Sequence, residues 1–133
     1  MGAIDLAAVF LGAAAFFVVG MAWYGVLFAQ AWTRAMGRQP RDFTGDRPLW
    51  LVFSLTFAFA LLIGLTLAHQ YAMTSPSPRA MMMIAVGYGL TLMVPAVGIR
   101  YLYLNVSGKV FAIDAGFLVT AMAAMGGVFL LLS

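Results

Sequence analysis

Along this chain of 133 residues, charged side chains fall in short clusters, and between them run four uncharged stretches: Leu6 to Thr33, Leu49 to Ala68, Ala80 to Ile99 and Ala115 to Ser133. Each is roughly 20 residues or longer, which is the length of helix that crosses the ~30 Å hydrocarbon slab of a bilayer. None shows the strict alternation of apolar and polar positions that a membrane barrel strand requires, so helices are the spanning structure. The pattern predicts an all-α fold, a four-transmembrane-helix bundle forming a single membrane domain over the whole chain. Its spans lie at approximately 4–28, 48–71, 78–102 and 110–132, with an interfacial helical connection at about 29–38.

Punctuation agrees with hydropathy. Asp46-Arg47-Pro48 offers an N-cap and a first-turn proline for the second helix, and Ser77-Pro78 offers the same for the third. Ser75-Pro76-Ser77-Pro78 is a short, stiff connection that makes helices two and three antiparallel neighbours, and Asn105-Val106-Ser107-Gly108 similarly joins three and four. The front end, MGAIDLAA, has an aspartate in place of a basic region and the run that follows is long, so the first span is expected to stay in the mature protein. No internal repeat or long linker divides the chain.

Composition reinforces the membrane reading. With 65% hydrophobic and 8% charged residues and a mean hydropathy of +1.03, there is too little polar surface to cover a water-soluble globule. Lysine and arginine then orient the bundle. Arg34, Arg38, Arg41 and Arg47 lie in the first connection and Arg100 and Lys109 flank the third, whereas the second has Arg79 alone. Connections one and three are expected in the cytoplasm and both termini on the non-cytoplasmic side. The net charge of +3 describes a basic cytoplasmic rim suited to anionic lipid headgroups, each well-placed cation contributing about 1 kcal/mol. Nucleic acid is a poor partner, since no soluble module carries the charge. The absence of cysteine removes disulfides, thiolate metal sites and cysteine catalysis.

Aromatic residues gather where the first span meets this charge, in WYGVLFAQAW. Trp23 and Tyr24 stand near the end of the span, and Phe28, Trp32 and Met36 follow at four-residue spacing, a helix bending into the interface. An aromatic belt at headgroup depth explains them without any ligand; the sharper reading makes them one wall of a site. With IDAGF, residues 113–117, opening the last span, this stretch resembles the bacterial four-helix membrane proteins grouped as domain-of-unknown-function family 1761. Those proteins carry wording similar to Trp-Tyr-Gly-Pro-Leu-Phe followed by a Trp, and Asp-Ala-Gly followed by an aromatic. Val26 stands here where that wording has proline. The resemblance implies a fold and a location, the inner membrane of a bacterium, but no activity.

Asp114 is a carboxylate inside the last span. Ser107 lies midway between it and Arg100, so a helical hairpin brings the two to the same depth, within reach of an ion pair. A lone charge at mid-membrane costs ~3 kcal/mol and pairing reduces that cost. Arg100 and Asp114 are therefore either a staple between helices three and four or part of a polar site shared with Trp23 and Tyr24. In helix three, Pro95 cannot donate to the carbonyl of Thr91, which predicts a bend, with the Thr91 hydroxyl placed to satisfy part of what is freed. A gating hinge is the alternative to a passive kink. In helix four, Ala112, Gly116, Thr120 and Ala124 recur every four residues beside Gly127, a helix-contact face of small residues that serves this chain or a second copy. At the outer end, Asp5 begins helix one and His69 ends helix two, so they form a candidate pair. A copper(I) site of His69 with Met73, Met81, Met82 and Met83 competes there with simple packing by methionine.

No cofactor or metal is implied, and no motif names a reaction. The expected role is binding lipid or a small hydrophobic ligand, or stabilising a membrane complex, in a protein that forms a homo-oligomer. A small oligomeric transporter or channel is the alternative, although no charged residue lies mid-span to couple a gradient. A membrane-embedded enzyme comes third, with Tyr24 and Asp114 as its single cytoplasmic pairing of base and hydroxyl.

Overall fold

The structure, a computed structural model, describes residues 4–37 and 46–133; Arg38 and Arg41 lie outside them. It contains helices α1 (Leu6–Ala22), α2 (Ala29–Ala35), α3 (Leu49–Thr74), α4 (Pro78–Tyr88), α5 (Val94–Leu104) and α6 (Gly108–Leu132). Two π-helical turns extend this set. Trp23–Leu27 prolongs α1, and Gly89–Met93 joins α4 to α5. The result is four helices long and apolar enough to span a membrane: Leu6–Leu27, Leu49–Thr74, Pro78–Leu104 and Gly108–Leu132.

Local chemistry sets the helix ends. The Asp5 carboxylate accepts from the Ala8 N–H at 3.2 Å, the Ser77 hydroxyl from Ala80 at 3.2 Å, and the Ser107 hydroxyl from Val110 at 3.3 Å, each satisfying a donor that the first turn leaves free. Asp46 plays no such part. Pro48 occupies the N-cap position of α3, in extended conformation and with no side-chain bond, because its fixed φ already leads into the helix. Ser75 and Asn105 close α3 and α5 in left-handed conformation, and their short side chains make that tolerable.

Side-chain pairs fix the topology. Phe10 meets Phe57 and Phe17 meets Phe53, so α1 and α3 run antiparallel. Phe16 meets Phe117 while the Trp23 indole reaches the Ile113 carbonyl, so α1 and α6 also run antiparallel. On its other side α6 packs on α4 and α5, through Gly126 against Ala85 and Phe111 against Tyr101. Helices α1 and α6 thus form the centre, flanked by α3 and by the α4–α5 pair. The core they share is built from Ala8, Ala13, Ala60, Ala85 and Ala121 around Leu67, Met122 and Met125. Small residues of this kind let helix backbones approach, which matters where lipid supplies no hydrophobic drive to associate. The outer surface is apolar too: Leu102, Tyr103 and Leu131 are each more than four-fifths exposed, which suits hydrocarbon and not water.

The face that α6 turns inward carries Val110, Ile113, Asp114, Ala121, Met122, Met125, Gly126 and Phe129. This corrects the expected stripe. Ala112 and Thr120 are exposed and Ala124 is half-buried, and a side chain at Gly127 would meet nothing within 4 Å. Of the stripe, Gly116 lies beneath the Trp23 ring. Among the described glycines the tightest site is Gly126, where an added Cβ would stand 2.7 Å from the Ala85 Cβ. Around Pro95 the helix adjusts by the π turn that precedes it, in which the Val94 N–H bonds to the Gly89 carbonyl. The Thr91 hydroxyl donates to Gly87 at 2.6 Å, one turn back, and does not serve the carbonyl that Pro95 frees. The hydroxyl of a helical threonine reaches back to the preceding turn, away from its own carbonyl.

Candidate functional site

Asp114 sits on the second turn of α6 and is 7% exposed. Its two carboxylate oxygens accept from two phenols, Tyr24 at the π turn of α1 and Tyr101 on α5. The expected Arg100 staple does not form. Arg100 is exposed, and among the described residues no ion pair reaches Asp114. Successive helical residues point ~100° apart, so matching depth across the hairpin selected the right turn of α5 but the neighbouring residue. Neutral phenols also satisfy a carboxylate without bringing a second charge out of water, the larger cost of a buried ion pair. Tyr101 is the residue that sequence reasoning passed over, and its signal was its position one step from Arg100 on the same turn.

The π turn brings Trp23 and Tyr24 to this point together. Trp23 donates its indole N–H to the Ile113 carbonyl at 2.9 Å, and Tyr24 bonds to the next residue, Asp114. Such turns carry an extra residue in the helical circuit and recur at functional sites. The chain then breaks at Phe28, whose φ of −122° and ψ of 19° leave the helical region, and re-enters α2. That short helix returns Trp32 to the Tyr24 ring, edge-on with centroids 5.5 Å apart, while Phe117 of α6 meets the same ring at 5.2 Å. Thr33, buried, turns its hydroxyl to the Ala29 carbonyl at 2.6 Å.

Beside this cluster, among α1, α2 and α3, lies a cavity of about 820 Å³. Phe16, Phe17, Tyr24, Trp32, Phe53 and Phe117 supply its aromatic wall, with Arg47 the one charged residue in the lining. Tyr24 therefore does two things: it lines the cavity, and its hydroxyl binds the buried carboxylate. The site thus unites Trp23, Tyr24, Trp32 and Asp114 from the sequence candidates, replaces Arg100 by Tyr101, and adds Phe53 and Phe117. Phe117 closes the IDAGF stretch, so it was visible as a motif residue without a role, whereas Phe53 carried no sequence signal, since phenylalanine in an apolar span is indistinguishable from lipid-facing bulk.

At the opposite end, Asp5 caps its own helix and forms no ion pair with His69, which is exposed. Asp5 instead borders a small cavity of about 190 Å³ with Ala68, Tyr71, Ala72 and Met81 among its walls. His69 is adjacent to Ala68 in sequence but points off that face. Met81 is packed into the core and Met73 and Met83 face outward, so those sulfurs do not converge. Among the described residues there is no group of three His, Cys, Asp or Glu side chains placed to hold a metal.

A family model described as a protein of unknown function, DUF1761, matches residues 7–130. No curated protein and no solved structure matches the chain.

Proposed function

The chain belongs to the DUF1761 family, and from that premise we propose that it binds a lipid or another small hydrophobic molecule within the membrane. The observation that carries this reading is the cavity of about 820 Å³. Ligand sites commonly enclose roughly 300–1,000 Å³, walled mainly by apolar and aromatic side chains with a few polar groups to orient the guest. Here six aromatic rings form the wall and Tyr24 and Arg47 are the polar groups. A cavity of this kind inside a bundle whose surface is apolar is reached from the bilayer, so its guest partitions there first.

The setting we propose is a bacterial inner membrane. Arg34, Arg47, Arg100 and Lys109 all belong to one end of the bundle, which the positive-inside bias assigns to the cytoplasm, with both termini opposite. The same basic rim suits anionic lipid headgroups. Association into a homo-oligomer is part of this reading, supported by Ala112 and Thr120, small residues exposed on α6.

The test is native mass spectrometry of the protein released from nanodiscs, reading subunit number and retained small molecules together. A stoichiometric adduct is expected, and Val52→Trp, which places an indole in the cavity lining, should remove it. A bare protein, or an adduct unchanged by Val52→Trp, refutes the reading.

A further inference from the structure

The cavity has a polar end and an apolar end. Resting on the cavity reading, we infer that the guest is an anionic amphiphile, a carboxylate or phosphate head on an acyl chain, with its head at Arg47 and its chain laid along Phe16, Phe17 and Phe53.

The lining runs along the bundle. Helices α1 and α3 are antiparallel, with Phe17 against Phe53 and Phe57, so Phe16 and Phe17 lie level with Phe53 and Thr56, while Met21 and Tyr24 lie at the end of Leu49 and Arg47. At a rise of 1.5 Å per residue, the lined part of α3 from Leu49 to Thr56 and that of α1 from Phe16 to Gly25 extend roughly 10–14 Å. The hydrocarbon slab is ~30 Å thick, so the cavity reaches to about the depth of one leaflet. Its upper end is set at headgroup level by Arg47, exposed and just ahead of the span, and by Trp50, exposed on the first turn of α3. A site of that reach fits a chain that enters end-on from one leaflet.

Polarity is divided along the same direction. At the deep end Thr56 donates its hydroxyl to the Val52 carbonyl at 2.7 Å, and its neighbours in the lining, Phe16, Phe17 and Phe53, are hydrocarbon. Nearer the mouth, Tyr24 donates its hydroxyl to Asp114. Neither hydroxyl has a second proton to give a guest. A polar head placed at the deep end would lose its water without recovering its hydrogen bonds, whereas an acyl chain there loses nothing. The head therefore belongs at the mouth.

The mouth is positive. Among the described residues Arg47 is the one charged group of the lining. Its planar fork of five N–H donors matches the oxygens of a carboxylate or phosphate two at a time, and it can do so beside the interaction it already makes. Leu49, also in the lining, opens α3, and Pro48 at the N-cap brings no side-chain acceptor to that turn. The positive end of a 26-residue helix thus adds to the sign of Arg47. The nearby carboxylates do not reverse it, because Asp46 is exposed and neither it nor Asp114 belongs to the lining.

The experiment uses three single-chain amphiphiles that differ only in the head, dodecyl phosphate, dodecanol and dodecyltrimethylammonium, on the full chain in nanodiscs of zwitterionic phosphatidylcholine. Binding is read by calorimetry, corrected for partition into empty nanodiscs, and Val52→Trp marks the part of it that belongs to the cavity. Dodecyl phosphate should bind about threefold to tenfold tighter than dodecanol, as expected for a charge-assisted contact at a partly exposed guanidinium, and the ammonium should bind weakest. Arg47→Ala should erase the phosphate preference and leave dodecanol unchanged, which reports an intact cavity. Arg100→Ala, which removes the same charge from the rim outside the lining, should change the preference by less than about twofold. Displacement of dodecyl phosphate by phosphatidylglycerol added to the nanodisc identifies the guest as a bilayer lipid, and binding that persists identifies a single-chain acid; both are the amphiphile inferred. No preference for the phosphate, or a preference that Arg47→Ala leaves intact or that Arg100→Ala reduces equally, overturns the inference, while dodecanol binding that Val52→Trp removes keeps the cavity reading. If Arg47→Ala also loses dodecanol, Arg47→Gln takes its place under the same criteria, and loss of dodecanol there too overturns the inference, because Arg47 then holds the wall and not the head. Absence of any binding sensitive to Val52→Trp refutes the cavity reading itself.

Discussion

The Asp114 network makes a sharp prediction about stability, because it assigns the carboxylate to Tyr24 and Tyr101 and leaves Arg100 out. A hydrogen bond to a charged group contributes ~1.5–3 kcal/mol in soluble proteins. Measured interhelical bonds in membrane bundles average only ~0.6 kcal/mol with a maximum of ~1.7. Both bonds here end on a carboxylate that is 7% exposed, so each should lie toward the upper end of the membrane range. Tyr24→Phe and Tyr101→Phe are each expected to cost about 1–1.5 kcal/mol in the otherwise wild-type protein. In an Asp114→Ala background the acceptor is gone, and the same changes should cost close to nothing. The coupling for each tyrosine with Asp114 is then about 1 kcal/mol. Asp114→Asn should be intermediate, because its amide oxygen can keep one phenol while its NH2 faces the other. Reversible unfolding by sodium dodecyl sulfate in mixed micelles, followed by tryptophan fluorescence, gives the free energies for these cycles. Arg100→Ala is the control and should show no coupling to Asp114. Strong coupling of Arg100 with Asp114, together with additivity of Tyr101 and Asp114, would refute the network and restore the ion pair.

Three further predictions concern packing and caps. Gly126→Val forces its Cβ to within 2.7 Å of the Ala85 Cβ, and since both atoms are fixed to backbone, α4 and α6 must separate; a loss of about 1–3 kcal/mol is expected, read as a lowered thermal midpoint in detergent, whereas Gly127→Val, with nothing within 4 Å, should leave it unchanged. Gly116→Ala places a methyl 2.9 Å from Trp23 Cζ2 and should push the indole off the Ile113 carbonyl, seen as a red-shifted emission in a Trp32→Phe, Trp50→Phe background; an unshifted spectrum would contradict the contact. Ser107→Ala and Ser77→Ala should each destabilise by about 1 kcal/mol through loss of an N-cap, and Asp46→Ala should not, because Pro48 occupies that position in α3; an equal effect at Asp46 would restore it as the cap.

The four long helices were legible because the clusters that end them are legible: Asp5, the Ser77-Pro78 pair and Ser107 each stand at a helix start in the structure. What the sequence did not carry was azimuth. In a soluble helix the polar side marks the outside, but here lipid-facing Leu102 and core-facing Leu67 have the same chemistry, so apolar periodicity says nothing about which way is in. Depth could be read and rotation could not. Arg100 and Tyr101 share a depth, and the choice between them rested on the more familiar charge pairing. Gly116 and Gly126 both contact other helices while Gly127 does not, and a four-residue stripe drawn through small residues has no means of preferring one over its neighbour. The aromatic wall was half-visible for the same reason: Trp23, Tyr24 and Trp32 stand out as residues with polar atoms and Phe117 as the end of IDAGF, whereas Phe53 vanishes into the hydrophobic run.

The arrangement of WYGVL shows why polar atoms succeed where hydropathy fails. Trp23 and Tyr24 are adjacent, and on a regular helix adjacent side chains diverge by ~100°. Yet both bond to α6, at Ile113 and Asp114, residues that are themselves adjacent. The π turn over Trp23–Leu27 supplies the slack that lets two neighbours serve one partner helix. An indole N–H and a phenol O–H in hydrocarbon each require an acceptor, and the acceptors on offer were a backbone carbonyl and the one carboxylate of the span. Satisfying both donors on one face turns the end of α1 toward α6. After the break at Phe28, α2 brings Trp32 back against Tyr24. The cavity lined by α1, α2 and α3 thus meets the buried carboxylate through Tyr24, which lines the one and bonds to the other.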